Sequence, residues 1–261
     1  HAGTVKSLVS RVGFYSCAAQ RTWSDQMGRA VINIRLPRIT LACMIGCCLS
    51  AAGAAYQGVF RNPMASPDIL GASSGAAFGA ALAILMGASS GMITLSAFIF
   101  SMLTVLLAML IAKRARGDGV VNLILAGIML SSLFSAGTSY IKLAADPSNQ
   151  LPAITYWLMG SLSGTRHNTV YMAAIPMLAG CVTLILSRWR LNLLTLGDDE
   201  ARSMGVNAAL LRAVVIAAST LITAASIASA GMIGWVGLVV PHMARKLVGS
   251  DYRRLIIAKR K

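Results

Sequence analysis

Apolar runs of about 18 to 22 residues, the length that crosses a bilayer core as a helix, alternate with charged or glycine-rich breaks along the chain. The pattern predicts seven spans, at 39–60, 69–87, 91–112, 120–141, 169–187, 210–230 and 231–248. The earlier apolar piece, Val12–Ala19, is too short to cross, so residues 1–38 read as a mixed, basic lead-in. Between the fourth and fifth spans, Gln150–Thr165 carries Tyr156 and Trp157, which suit a short helix lying at the membrane interface. The stretch Leu191–Asn207 is the one strongly polar block of the second half, with Asp198, Asp199 and Glu200 in succession. Gly197 followed by three acids predicts a helix start, because carboxylates in the first turn face the positive end of the helix dipole. Gly205 predicts the end of that helix about two turns later. Its apolar face is too small to anchor it in lipid, so it suits being pushed on by another protein. A plain connecting loop is the other reading.

Composition confirms the class. Hydrophobic residues make up 56% of the chain and charged residues 12%, and the mean hydropathy is +0.70. These values exclude a soluble domain and predict an all-α, polytopic transmembrane bundle. The net charge of +15 does not point to nucleic acid, because the basic residues cap the apolar runs. One set of loops holds Arg61, then Lys113, Arg114 and Arg116, then Arg188, Arg190, Arg202 and Arg212, then Arg245 to Lys261. The opposite loops hold only Lys142 and Arg166, so the first set is expected in the cytoplasm. The basic segment before the first span falls on the other side, which breaks the rule and points to a missing preceding span. Five cysteines show no C-x-x-C and are read as small hydrophobes, without disulfides or metal.

The candidate chemistry is sparse. Gly71, Gly75 and Gly79 form a small-residue ridge, and Gly231, Gly234 and Gly237 crowd another helix start. Such faces pack closely or line a wet path. No Asp, Glu or Lys stands mid-span as a proton or sodium relay would require. No G-x-x-x-x-G-K-[ST] occurs, so the chain does not hydrolyse ATP by itself. Gly71–Gly75 matches G-x-S-x-G, but a nucleophile elbow needs a preceding strand with a histidine and an acid nearby. His242 after Pro241 has no second ligand at helical spacing, so packing is the simpler reading.

Several ordered motifs carry a resemblance. Ile34-Arg35-Leu36-Pro37-Arg38 comes first, followed by Gln57-Gly58-Val59-Phe60-Arg61-Asn62-Pro63-Met64-Ala65-Ser66-Pro67-Asp68-Ile69-Leu70-Gly71. Tyr156–Leu162, Leu196–Val206 and Gly234–His242 follow. From about Gly28 to Arg254 the chain resembles the FecCD-type permeases of bacterial ABC importers for iron–siderophores, haem and cobalamin. Such permeases have about ten spans. The resemblance therefore implies that the first and the last two are absent here, that 29–254 is an incomplete permease domain, and that 1–28 and 255–261 are atypical. It implies a cytoplasmic-membrane protein with a second permease subunit, two cytoplasmic ATP-binding subunits and an extracytoplasmic binding protein. ATP is used by the partner, and the chain itself binds no cofactor or metal.

Carried over residue by residue, the resemblance makes Leu196, Gly197, Asp198, Asp199, Glu200, Ala201, Arg202, Met204 and Gly205 the element that couples to the ATPase. Arg35 and Arg38 would receive carboxylates of the binding protein, through pairing that suits a guanidinium. Gly119, Val120 and Val121 match the gate region, and Ser131 and Ser135 would line the path. Asn62, Pro63, Pro67, Gly71, Gly75, Pro241 and His242 belong to the shared motifs. An ion-coupled secondary transporter, or an inert fragment of a permease, are the alternative readings.

Overall fold

The computed structural model describes residues 29–117, 119–196, 201 and 203–248, and every described element is helical. A π-helical turn, Val31–Arg35, runs into α1, Leu36–Val59, with Pro37 in the first turn where a missing N–H costs nothing. A 3-10 turn, Pro67–Leu70, precedes α2, Ala72–Leu85. Then come α3 (Ser90–Arg114), α4 (Gly119–Ala144), α5 (Gln150–Met159), α6 (His167–Leu196), α7 (Ala208–Ala230) and α8 (Val236–Val248). The short interfacial helix predicted at Gln150–Thr165 is α5.

Among the described residues, five helices are long and apolar enough to cross a membrane: the continuous helix Val31–Val59, α3, α4, α6 and α7. Two of the seven expected spans are therefore corrected. Residues 69–87 form only the 14-residue α2, about 20 Å long, and 231–248 is helical only from Val236, as α8. Hydropathy counts apolar residues, but helix continuity depends on backbone angles. Gly71 takes φ +81° and ends the 3-10 turn before α2. Gly231 takes φ +77° and ends α7, after which 231–234 runs without helix into α8. A further correction concerns Leu191–Asn207. Its first six residues continue α6, with Leu191 and Leu194 buried, so the polar break begins only after Leu196.

α7 is the hub, packing against α1, α2, α3 and α6, and 67% of its membrane-length window is buried. Asn207 starts it by accepting the Leu210 N–H at 3.1 Å. Its surface is largely Ala, Ser and Thr, so neighbouring backbones come close. Gly180 of α6 fits where a Cβ would meet the Ala218 carbonyl at 2.8 Å and Ile222 at 2.6 Å. Gly75 of α2 sits against Thr104 and the Phe100 carbonyl of α3, and Gly79 against the Ser96 carbonyl, so the predicted glycine ridge is the α2–α3 seam. Phe78, Phe100 and Phe134 lock α2, α3 and α4 together, with ring centroids 5.3 to 6.4 Å apart. Such aromatic pairs add to the burial energy through their edge-to-face geometry.

The tightest crossing joins α1 to α8. A Cβ on Gly53 would stand 1.7 Å from the Gly237 carbonyl oxygen. Pro241 lies inside α8 and has no N–H to give that carbonyl, so the oxygen turns to the glycine Cα–H instead. Gly53→Ala should therefore cost about 1–3 kcal/mol, as overpacking does. Gly46→Ala, on the same helix with nothing within 4 Å, should be neutral or stabilising. Thermal unfolding in detergent checks this: equal midpoints for the two variants would contradict the packing described here.

Candidate functional site

The expected site residues fall in three regions. The first is the end of the bundle where α1 begins. Arg38 donates from Nε to the Leu162 carbonyl at 3.2 Å and from Nη2 to the Ser163 carbonyl at 3.0 Å. His167 Nε2 donates to the Ile32 carbonyl at 3.2 Å. The loop after α5 is thereby clamped to the start of α1, and from the other side Ser161 donates its N–H to the Ala230 carbonyl at 2.8 Å. Gly160 and Gly231, both at positive φ, lie back to back: a Cβ on Gly231 would meet the Gly160 Cα at 2.5 Å. Sequence reasoning treats Arg35 and Arg38 as an equivalent pair. The structure separates them, with Arg38 half-buried and holding the loop, and Arg35 exposed. The same end of the bundle carries Arg29, Lys142, Arg166 and His167 against the single described acid Asp146.

The second region is where the 3-10 turn enters the bundle. A Cβ on Gly127 would lie 2.4 Å from the Ile69 carbonyl, and Gly127 is eight residues, about 12 Å, into α4. The turn thus folds back inward, and α2 starts at depth, which is why it is short. Pro67 is buried against Gly237 and Gly71 against Ser131. Asn62 accepts the Met64 N–H at 2.9 Å on its side-chain oxygen, and Pro63 is exposed beside it. The Asp68 carboxylate accepts the Ser73 hydroxyl. That pairing occupies the serine of the G-x-S-x-G match, which stands on a helix without a preceding strand. Gln57, 2% exposed, donates to the Leu238 carbonyl at 3.5 Å and keeps Oε1 buried without a partner. Sequence reasoning missed Gly53, Asp68 with Ser73, and the clamp around Arg38. The last joins residues 124 positions apart, which no local pattern announces.

On α4, Gly119 is the first residue, Val120 is half-buried and Val121 exposed. Ser131 gives its hydroxyl hydrogen to the Gly127 carbonyl at 2.8 Å and sits in the packing. Ser132, Ser135 and Ser139 are exposed along one stripe, continuing Leu125 and Ile128. Ser132 and Ser139 bond their own helix at 3.0 Å, which leaves oxygen lone pairs outward. Pro241 is buried and His242 exposed. Among the described residues no three of His, Cys, Asp and Glu come together.

The third region is the polar break between α6 and α7. Gly197, Asp198, Asp199, Glu200 and Arg202 lie outside the described residues. Of its remainder, Leu196 ends α6, Ala201 is fully buried, Met204 is exposed, and Gly205 at φ +78° closes the turn as expected. The Val206 N–H reaches the Ala201 carbonyl at 3.0 Å, the six-to-one bond of a glycine-terminated helix.

Comparison with known proteins places this architecture. The chain is 40% identical over 229 residues to the molybdate import system permease protein MolB of Haemophilus influenzae, covering 87% of this chain and 68% of that protein. It is 35% identical to the hemin transport system permease protein HmuU of Yersinia pestis, covering 95% of this chain and 76% of that one. A solved metal-chelate-type ABC transporter in an inward-facing conformation superposes with a TM-score of 0.86 at 37% identity, over 91% of this chain and 76% of that chain. The model of the FecCD transport family matches residues 5–259, and with the five long helices, the broken α2 and α8 and the shared motifs it makes the chain a member of that family.

Proposed function

We propose that this chain is the membrane-spanning subunit of an ATP-driven importer, carrying an iron–siderophore or related metal chelate across the cytoplasmic membrane. The observation that carries the reading is the close structural likeness to a metal-chelate-type transporter over nearly the whole chain. In this reading a second permease subunit faces the exposed stripe of α4, and the hydroxyls of Ser132, Ser135 and Ser139 line the path between the two. The basic end, with Lys113, Arg114, Arg116, Arg188 and Arg190, faces the cytoplasm. Of two ATP-binding subunits, one for each permease subunit, one docks there on Leu196–Gly205. An ion-coupled transporter needs a charged group in the path. Among the described residues the acid nearest the core, Asp68, is occupied by Ser73.

At the opposite end, Arg35 and Arg38 would meet carboxylates of an extracytoplasmic binding protein. Because Arg38 already holds two carbonyls, Arg35 is the more available partner. Arg35→Glu should weaken docking roughly tenfold, in keeping with one charge-assisted hydrogen bond, without unfolding the subunit. Arg38→Glu should weaken docking and lower thermal stability together, because it releases the loop at 160–165. Raised salt should weaken the native complex as well. Binding-protein affinity that ignores both substitutions and salt would rule the docking role out.

For the coupling segment, Asp198→Lys with Glu200→Lys should abolish transport-linked ATP hydrolysis while membrane insertion stays normal. The idea fails if the ATPase copurifies at full yield and activity. The path offers hydroxyls and no metal ligands, so the metal must arrive wrapped in its chelator. Bare ferric ion at the same concentration as the chelate should therefore leave uptake unchanged, and effective competition would argue for a free-ion carrier.

A further inference from the structure

α6 packs against α1 and α7 on one side, through Met177, Gly180 and Leu184, and turns its other side away from the other described helices. On that outer side Tyr171, Ile175, Leu178, Val182, Leu186 and Trp189 recur at helical spacing, and all are exposed, Leu186 by 78%. From Tyr171 to Trp189 the helix rises about 27 Å, close to the roughly 30 Å of a bilayer's hydrocarbon. An aromatic ring thus stands at each membrane interface, where such rings are favoured.

The crossings where backbones come closest are made through small residues such as Gly53, Gly75, Gly127 and Gly180, because close approach needs them. The outer side of α6 offers branched and aromatic side chains instead, a surface that acyl chains can follow. At its basic end, Arg188 and Arg190 flank Trp189. Gly180 seats between Ala218 and Ile222 of the antiparallel α7, so eight residues further along Arg188 comes level with Arg212. The described residues contain two acids, Asp68, which is held by Ser73, and Asp146, at the other end of the bundle. No described carboxylate shares this corner.

We infer that the outer face of α6 seats an anionic glycerophospholipid. Its acyl chains lie along the Tyr171–Trp189 stripe, and its headgroup phosphate is held by Arg188 and Arg190 beside the indole of Trp189. A guanidinium suits this task because its planar donors match phosphate oxygens two at a time. The test uses the protein reconstituted in phosphatidylcholine bilayers containing the same fraction of dibrominated phosphatidylglycerol or dibrominated phosphatidylcholine. Bromine quenches nearby indoles, and Trp189→Phe identifies the share of the signal that comes from Trp189. Brominated phosphatidylglycerol should quench Trp189 in excess, reflecting a local enrichment of roughly fivefold per arginine, and salt should reduce that excess. Arg188→Gln with Arg190→Gln should bring the quenching to the phosphatidylcholine level while brominated phosphatidylcholine still quenches, which shows the helix still meets lipid. Equal quenching by the two lipids, an excess that survives the double substitution, or no quenching by either lipid because protein covers the face, would each overturn the proposal.

Discussion

Where α1 crosses α8, the Gly237 carbonyl occupies the place a side chain on Gly53 would need. The same economy of space recurs at Gly75 with Thr104, Gly127 with the Ile69 carbonyl, Gly180 with Ala218, and Gly160 with Gly231. Lipid tails are as apolar as leucine, so helices in a membrane gain little by hiding apolar surface from them. They hold together by close packing and hydrogen bonds. Backbone-to-backbone approach is therefore the constraint on which this bundle depends. It requires glycine at the closest crossings and small residues along α7.

Close approach also permits the two interruptions that give the molecule its functional shape. Irregular backbone at membrane depth survives only where protein surrounds it. The turn at Pro67–Leu70 meets that condition by resting its carbonyls on Gly127 and its proline on Gly237. The break at Gly231 meets it through Gly160 and the Ser161 bond to Ala230. Both breaks thus connect elements far apart in sequence. α8 touches the turn before α2, and the loop after α5 touches the end of α7 and the start of α1.

Much of this was legible from the chain alone, because the long spans need only apolar length. α3 and α4 lie close to where hydropathy puts them. The 69–87 and 231–248 runs mislead because each is apolar over most of its length, and apolar length does not reveal positive φ at Gly71 or Gly231. The glycines were noticed as packing residues, and they are, but Gly71 and Gly231 are also where helices stop. The site was legible only in part. Arg35 and Arg38 look alike in sequence, yet the carbonyls that distinguish them belong to Leu162 and Ser163, more than 120 residues away. Asp68 carries no reading of its own in the sequence, and its pairing with Ser73 becomes visible only in the turn that leads into α2.

The central claim is that an ATP-binding partner, and not an ion gradient, drives movement through this bundle. Its most direct measurement is uptake of a labelled metal chelate into vesicles that carry the chain with its permease, ATPase and binding-protein partners. The account predicts accumulation that requires ATP inside the cytoplasmic compartment and survives collapse of the proton and sodium gradients. Accumulation without ATP that stops when those gradients collapse would contradict it.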